Sequence, residues 1–314
     1  MGLTTPASTG GRSARAVTAG IAKRGVDTKG ALVEGSLLGA LGLALVILVV
    51  LVVDLVRRSW PVFSDRGWSF ITDGLNAQTA SKAGVWSALQ GSILLGLIVV
   101  VVAFPLGIAC AVYLEEYAGD SRFAKLTRIN VRNLAGVPSI VYGLLGLGIF
   151  VKALDGVTQG RTVFAGGLTL SALVLPIVII TASEALRAVP RGIREGSLGV
   201  GATPWETVRH HVLPAAAPGI LTGTVLSLAR AIGEAAPVLL VGAATGLLRT
   251  GDQGFIDRLT GPFTAMPVAI FSYDRQPGAD FRAVTAAASV TLLVLVLVLN
   301  GFAIWMRNRY ERKV

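Results

Sequence analysis

Charged and reactive side chains are scarce in this 314-residue chain. Only 15% of its residues are charged, whereas 53% are hydrophobic, and the mean hydropathy is +0.69. The single cysteine, Cys110, excludes an internal disulfide. The two histidines, His210 and His211, are adjacent, and neighbouring helical positions point in different directions, so no metal site is predicted. Such a composition is typical of an integral membrane protein.

A nucleotide-binding motif is also missing. The sequence contains no Gly-x-x-x-x-Gly-Lys-Ser/Thr loop, the device that cradles the phosphates of ATP. We therefore expect no catalytic residue and no cofactor bound by this chain. If ATP drives its function, a partner protein must bind and hydrolyse it.

Long apolar runs are abundant instead. Five charge-free runs approach or exceed the ~20 residues needed to cross a bilayer, and a sixth, at 215–243, is interrupted by Arg230 and Glu234. The sequence therefore predicts an all-α integral membrane protein with six transmembrane helices. The five uninterrupted runs are 35–53, 83–114, 133–151, 162–183 and 283–306.

The distribution of basic residues predicts the orientation. If the six runs span in turn, 17 of the 28 Lys and Arg residues lie on the side of both termini, ten lie on the opposite side, and Arg230 lies within the membrane. The positive-inside rule then places both termini in the cytoplasm. Because the basic residues flank spans, the net charge of +10 does not indicate nucleic-acid binding.

These patterns also divide the chain. Residues 1–34 are expected to form a basic, disordered cytoplasmic tail. Residues 35–84 follow as the first transmembrane helix and an extracytoplasmic interfacial segment. A compact core of five spans is assigned to 85–306 and a short basic cytoplasmic tail to 307–314.

A polar, basic loop separates two of the apolar runs and extends over 195–214. Gly199 and Gly201 can end a helix, and Thr203 to Glu206 form a capping box with proline at the first helical position. This pattern predicts a short helix, a tight turn that uses a positive φ at Gly201, and a second short helix on the membrane surface. In the second helix, Trp205 and Val208 would present an apolar face to a groove or to lipid headgroups.

The same loop resembles the EAA loop of ABC importer permeases. The likeness consists of Glu195, a glycine six residues later and Leu213-Pro214, whereas Gly196 and Ser197 replace the two alanines and His211 replaces an apolar residue. The resemblance implies that the EAA-like loop, residues 195–214, docks into a groove of an ATPase subunit. The predicted docking residues are Glu195, Gly201, Thr203, Trp205, Glu206, Val208, Leu213 and Pro214.

Three further segments resemble the PstA family of phosphate importer permeases. They begin at Pro105 (PLGIACAVYLEEYA), Asn133 (NLAGVPSIVYG) and Ala229 (ARAIGEAAP). The resemblance implies a type I ABC importer permease fold in the inner membrane. It also implies three partners, namely a second, PstC-like permease, a homodimeric ATP-binding subunit and an extracytoplasmic phosphate-binding protein.

Candidate substrate contacts lie in two runs. Arg230 and Glu234 are four residues apart in a predicted span, where charges are costly and usually face a cavity or one another. They are interpreted either as a packing ion pair or as part of the anion path, with Arg230 binding phosphate oxygens. The glycine-rich run at 133–151 allows close helix packing, or it lines the path with Ser139 and Tyr142.

Other functions remain open from the sequence. A permease of this class could move molybdate, sulfate or an amino acid, because fold does not fix substrate. A secondary transporter that acts alone is disfavoured, because no inverted repeat is seen and the EAA-like loop would have no use. A purely structural scaffold is disfavoured by the charge pair.

Overall fold

The computed structural model describes residues 28–244 and 259–311. Within these residues all regular structure is helical, as predicted. Three π-helical segments continue helices whose i→i+4 ladder they interrupt. The helices are α1 (Thr28–Arg66), α2 (Ser69–Thr72), α3 (Trp86–Val112), α4 (Arg122–Ala135), α5 (Ser139–Gly146), α6 (Asp155–Thr158), α7 (Val163–Ala188), α8 (Arg191–Gly199), α9 (Pro204–Thr207), α10 (Leu213–Gly233), α11 (Ala236–Val241), α12 (Met266–Asp274) and α13 (Ala279–Glu311), with π-helices at Tyr113–Tyr117, Leu147–Ala153 and Val208–Val212 and a 3₁₀ turn at Ala80–Lys82.

The chain divides into two units, residues 1–54 and 55–314. In the first unit, the described residues form the N-terminal part of α1, whose large apolar side chains from Leu32 to Leu51 are exposed. Because α1 begins at Thr28, residues 28–34 are helical, which corrects the boundary predicted for the tail. The rest of that predicted tail, 1–27, lies outside the described residues.

The core of the second unit is built on α3 and α7, which pack along each other more extensively than any other helix pair. Glycine makes this close approach possible. A Cβ at Gly107 of α3 would lie 2.6 Å from Val178 Cγ1, and one at Gly167 of α7 would lie 2.6 Å from Ile98 Cδ1. Van der Waals packing of this kind is the main attraction between helices in a membrane.

A second apolar cluster joins the C-terminal part of α1 to α2, α12 and α13. Phe70, Met266 and Tyr273 are fully buried in it. The Tyr273 hydroxyl donates a hydrogen bond of 2.6 Å to the carbonyl oxygen of Gly84. Burial raises the pKa of Tyr273 to about 12, so the hydroxyl keeps its proton at physiological pH.

Five helical stretches in the described residues are long and apolar enough to cross a membrane, or six if the bent pair α4 and α5 counts as one span. The predicted number is reached only with that pair, whose two parts meet at 101°. The run predicted at 133–151 is therefore not a straight helix. Asn133 belongs to α4, and Pro138, which disfavours helical geometry in the residue before it, ends the turn between the two helices.

The run predicted at 215–243 is also interrupted. Its helix starts earlier and ends at Gly233, and Glu234 is extended, with ψ of 120°. Pro237 then lies in the first turn of the short helix α11, where its missing N–H costs least. At the C-terminus, residues 307–311 continue α13 as helix.

Candidate functional site

The first half of the EAA-like loop has the predicted local structure. Helix α8 ends at Gly199, and Gly201 has φ of +95°, a conformation that favours glycine. Thr203 Oγ1 accepts a hydrogen bond of 3.3 Å from Glu206 N, and Glu206 Oε2 accepts one of 2.8 Å from Thr203 N. This reciprocal capping box fixes the start of α9.

The second half differs from the prediction of a separate short helix. Helix α9 passes through the π-helix at Val208–Val212 directly into α10, so that one helical stretch extends over Pro204–Gly233. Of the two short helices predicted in the loop, only α8 is separate from a longer helix. No Gly or Pro lies between Pro204 and Pro214, and a local π-helix of the kind that directly precedes Leu213 allows a helix to continue past a proline.

The exposed large apolar residues of the loop lie in the turn and in the two helices that flank it. Val200 is 87% exposed and Trp205 is 57% exposed, with Leu198 also exposed beside them. The prediction for Val208 is wrong, because that side chain is only 3% exposed and faces the interior of the chain. Val200 was missed by sequence reasoning, although an apolar residue between two glycines of a polar loop was a usable signal.

The other predicted docking residues fall into two groups. Glu195 and Gly201 are exposed, as are Thr203 and Glu206, whose side chains are occupied by the capping box. Leu213 and Pro214 are partly buried, and Leu213 packs against the apolar cluster around Leu186 and Val212. The last two therefore hold the base of the loop and are not part of its outer surface.

Side-chain contacts of Arg194 and Ser197 connect α8 to other parts of the chain. Arg194 donates hydrogen bonds of 3.1 Å and 2.7 Å to the two carboxylate oxygens of Glu116. This pairing raises the pKa of Arg194. The hydroxyls of Ser197 and Thr207 lie 2.9 Å apart and are buried. The Arg194 contact was not predicted, because its partners are 78 residues apart and no periodic pattern links them.

Arg230 and Glu234 lie close together, with 3.5 Å between Arg230 Nε and Glu234 Oε1. The Arg230 side chain is 54% exposed and that of Glu234 is 19% exposed. The expectation that both lie inside one helix is wrong, because α10 ends at Gly233 and only Arg230 is helical. The pair thus lies at a helix break, where the Arg230 side chain is accessible.

Ser139 and Tyr142, the two candidate path residues of the run 133–151, have different surroundings. Ser139 is partly exposed at the first position of α5. Tyr142 is buried in the core, and its hydroxyl donates a hydrogen bond of 3.0 Å to the carbonyl oxygen of Leu134, across the bend. This burial does not fit a side chain that faces water. Gly143 serves close packing, because a Cβ there would lie 2.8 Å from Pro237 Cα.

His210 and His211 are exposed in the π-helix that follows α9. Among residues 28–244 and 259–311, no cluster of three or more His, Cys, Asp or Glu residues is arranged to hold a metal ion.

Comparison with known families agrees with this architecture. Residues 103–314 match the family of binding-protein-dependent transport system inner membrane components. The chain belongs to this family. It is therefore a permease of the ABC importer class and a multi-pass component of the inner membrane.

Several curated relatives resemble the permease over most of its length. It is 37% identical to the phosphate transport system permease protein PstA 1 of Mycobacterium tuberculosis (strain CDC 1551 / Oshkosh) over 268 residues. This alignment covers 84% of each chain. It is 38% identical to PstA of Mycobacterium leprae, with 73% of this chain and 72% of the relative covered. The probable ABC transporter permease protein YqgI of Bacillus subtilis is 31% identical, with 80% and 86% covered.

Solved transporters share the fold of the permease. The inward-facing MetNI methionine ABC transporter aligns with a TM-score of 0.54 at 19% identity, covering 72% of this chain and 94% of the solved one. A bacterial alginate ABC transporter in complex with a periplasmic protein aligns with a TM-score of 0.60 at 15% identity, covering 88% and 94%. These likenesses confirm the predicted fold class.

Proposed function

We propose that this permease is the translocation subunit of an ATP-driven phosphate importer that moves inorganic phosphate into the cytoplasm by alternating access. The observation that carries the proposal is the 37% identity to a phosphate transport permease across 84% of both chains. An accessible guanidinium at a helix break, Arg230, is consistent with an anionic cargo. The permease itself binds no cofactor and catalyses no reaction.

The partners follow from the same proposal. A homodimeric ATPase binds the EAA-like loop and hydrolyses ATP, and a second, PstC-like permease completes the channel. An extracytoplasmic phosphate-binding protein delivers the cargo. Both termini then lie in the cytoplasm, on the side of the ATPase, as the distribution of Lys and Arg favours.

The exposed apolar turn supports the docking role. Val200, Leu198 and Trp205 are accessible apolar side chains within a polar loop, and such residues are stabilised when a partner removes them from water. Gly201 allows the sharp turn that exposes Val200, and the Thr203–Glu206 capping box fixes the start of α9 beside it. Glu195, on the outer face of α8, is placed to pair with a basic residue of the ATPase.

The substrate path is assigned to Arg230 and Glu234, with Ser139 as a further polar contact. A guanidinium can donate two parallel hydrogen bonds to phosphate oxygens, and Glu234 can restrain it when no anion is bound. Tyr142 contributes to the path only if a different conformation frees its hydroxyl from the Leu134 carbonyl.

Uptake measurements in cells distinguish phosphate from other cargo. Cells that depend on this permease and its partners should accumulate radiolabelled phosphate, and excess unlabelled sulfate, molybdate or amino acids should not compete. Competition by one of these solutes, without competition by phosphate, would assign that solute as the cargo. Uptake that persists when the ATPase is deleted would instead support a secondary transporter.

A further inference from the structure

An ion pair connects the short helix α8 to the end of α3. The carboxylate of Glu116 receives two hydrogen bonds from Arg194, and the Glu116 side chain is only 9% exposed. Arg194 also donates hydrogen bonds of 2.9 Å to the carbonyl oxygens of Leu186, in the last turn of α7, and of Val189, the residue directly after that helix. One guanidinium therefore joins three elements, α8, α7 and the π-helix after α3.

Through Glu116, the ion pair attaches α8 to the end of a core helix. Glu116 lies in the π-helix at Tyr113–Tyr117, which continues α3, and α3 is the helix that packs most extensively on α7. At its other end, α8 is attached through the buried contact between Ser197 and Thr207, directly before the π-helix at Val208–Val212. Both attachment points of α8 thus adjoin π-helices, where the regular helical ladder is interrupted and which often occur at functional sites.

The neighbouring residue Glu115 has different partners. Its carboxylate accepts hydrogen bonds of 2.7 Å and 2.8 Å from Arg187 of α7, and it lies 3.5 Å from Arg128 of α4. Glu115 therefore joins the end of α3 to α7 and α4. The two consecutive carboxylates therefore have different partners. Glu115 pairs with Arg187 of α7, whereas Glu116 pairs with Arg194 of α8.

We propose that the Arg194–Glu116 pair, the clasp, is a positioning contact that transmits displacement of α8 to α3 when the ATPase closes. The proposal rests on the proposed function insofar as α8 belongs to the ATPase-binding loop. The clasp touches neither the cargo nor ATP. Its role is to make the end of α3 follow α8, because a two-bond, mostly buried ion pair fixes orientation as well as distance.

The test compares Glu116→Gln with the matched control Glu115→Gln in the complete transporter in proteoliposomes. Glu116→Gln leaves Arg194 able to bond to the carbonyls of α7, so α8 should still fold and bind the ATPase. We expect phosphate transported per ATP hydrolysed to fall about fivefold or more in Glu116→Gln, the usual range of coupling between distant sites. The ratio should stay near the wild-type value in Glu115→Gln, even if that variant melts at a lower temperature. Glu116→Asp should recover part of the loss.

A second readout does not depend on the cargo. In a Cys110→Ala background, a cysteine at the exposed position Asp120, just after the π-helix, should change its rate of thiol labelling when a non-hydrolysable ATP analogue is added. Glu116→Gln should abolish that change and Glu115→Gln should keep it. A normal labelling change in Glu116→Gln would overturn the clasp, and so would an equal loss in both variants. If the wild-type transporter shows the labelling change but moves no phosphate, only the assignment of the cargo fails.

Discussion

Arg230 is the residue at which an anion path and a packing contact make different predictions. Its side chain is accessible and lies 3.5 Å from the Glu234 carboxylate. If Arg230 binds the anion, Arg230→Lys should assemble but transport phosphate poorly, because lysine lacks the planar pair of donors. Arg230→Gln should be worse, since it leaves the Glu234 carboxylate unpaired beside the path. Phosphate uptake per assembled complex is the measurement.

The double variant Arg230→Gln/Glu234→Gln separates the two models. It removes the unpaired carboxylate, so assembly should recover in either case. We expect transport to stay low, because the guanidinium is still absent. Near-normal uptake by the double variant would reject direct contact between Arg230 and phosphate.

Val200 provides a test of the docking surface. Because its side chain is almost fully exposed between Gly199 and Gly201, Val200→Asp should leave the fold of the isolated permease intact. Burying that carboxylate in an apolar groove would cost several kcal/mol, so the ATPase should no longer co-purify. His211→Asp, on an exposed position of the adjoining π-helix, is the control and should retain the ATPase. Unchanged co-purification of Val200→Asp would place the docking surface elsewhere.

At the scale of elements, the cluster that includes α12 depends on a buried tyrosine. Tyr273→Phe removes the hydrogen bond to the Gly84 carbonyl and should lower stability by about 0.5–1.5 kcal/mol, seen as a lower melting temperature of the purified permease. Tyr113→Phe, at an exposed position, should have little effect. Equal melting temperatures for wild type and Tyr273→Phe would show that the hydrogen bond to the Gly84 carbonyl does not contribute to stability.

Local sequence patterns could predict some of these elements and not others. Apolar runs and the capping box at Thr203 are local patterns, so the helices and the turn at Gly201 could be derived from them. Pro138 and Gly233 mark the bend and the helix end in the sequence, but the 101° angle of the bend is not contained in any local pattern. The inward orientation of Val208 and the clasp between Arg194 and Glu116 are tertiary contacts that no local pattern contains.

At the scale of the whole molecule, the orientation of the chain in the membrane is the next test. In a Cys110→Ala background, a cysteine at Ser81, before α3, should react with membrane-impermeant thiol reagents in intact cells. A cysteine at Asp120, after α3, should react only when the membrane is opened. Both positions are exposed, and one membrane-length helical stretch, Trp86–Tyr117, separates them. The reverse pattern would place the EAA-like loop outside the cytoplasm.

Asp257, in a loop that the sequence predicts to be extracytoplasmic, lies outside the described residues. Ser81 therefore serves as the extracytoplasmic probe.

The most direct test of the whole account is phosphate accumulation in proteoliposomes that contain this permease, its second permease and the ATPase, with the phosphate-binding protein supplied on the side opposite the ATPase. We predict accumulation of phosphate on the ATPase side that requires both ATP and the binding protein and that is lost with Val200→Asp. Accumulation without ATP, or none in the complete wild-type assembly while another solute is moved, would contradict the account.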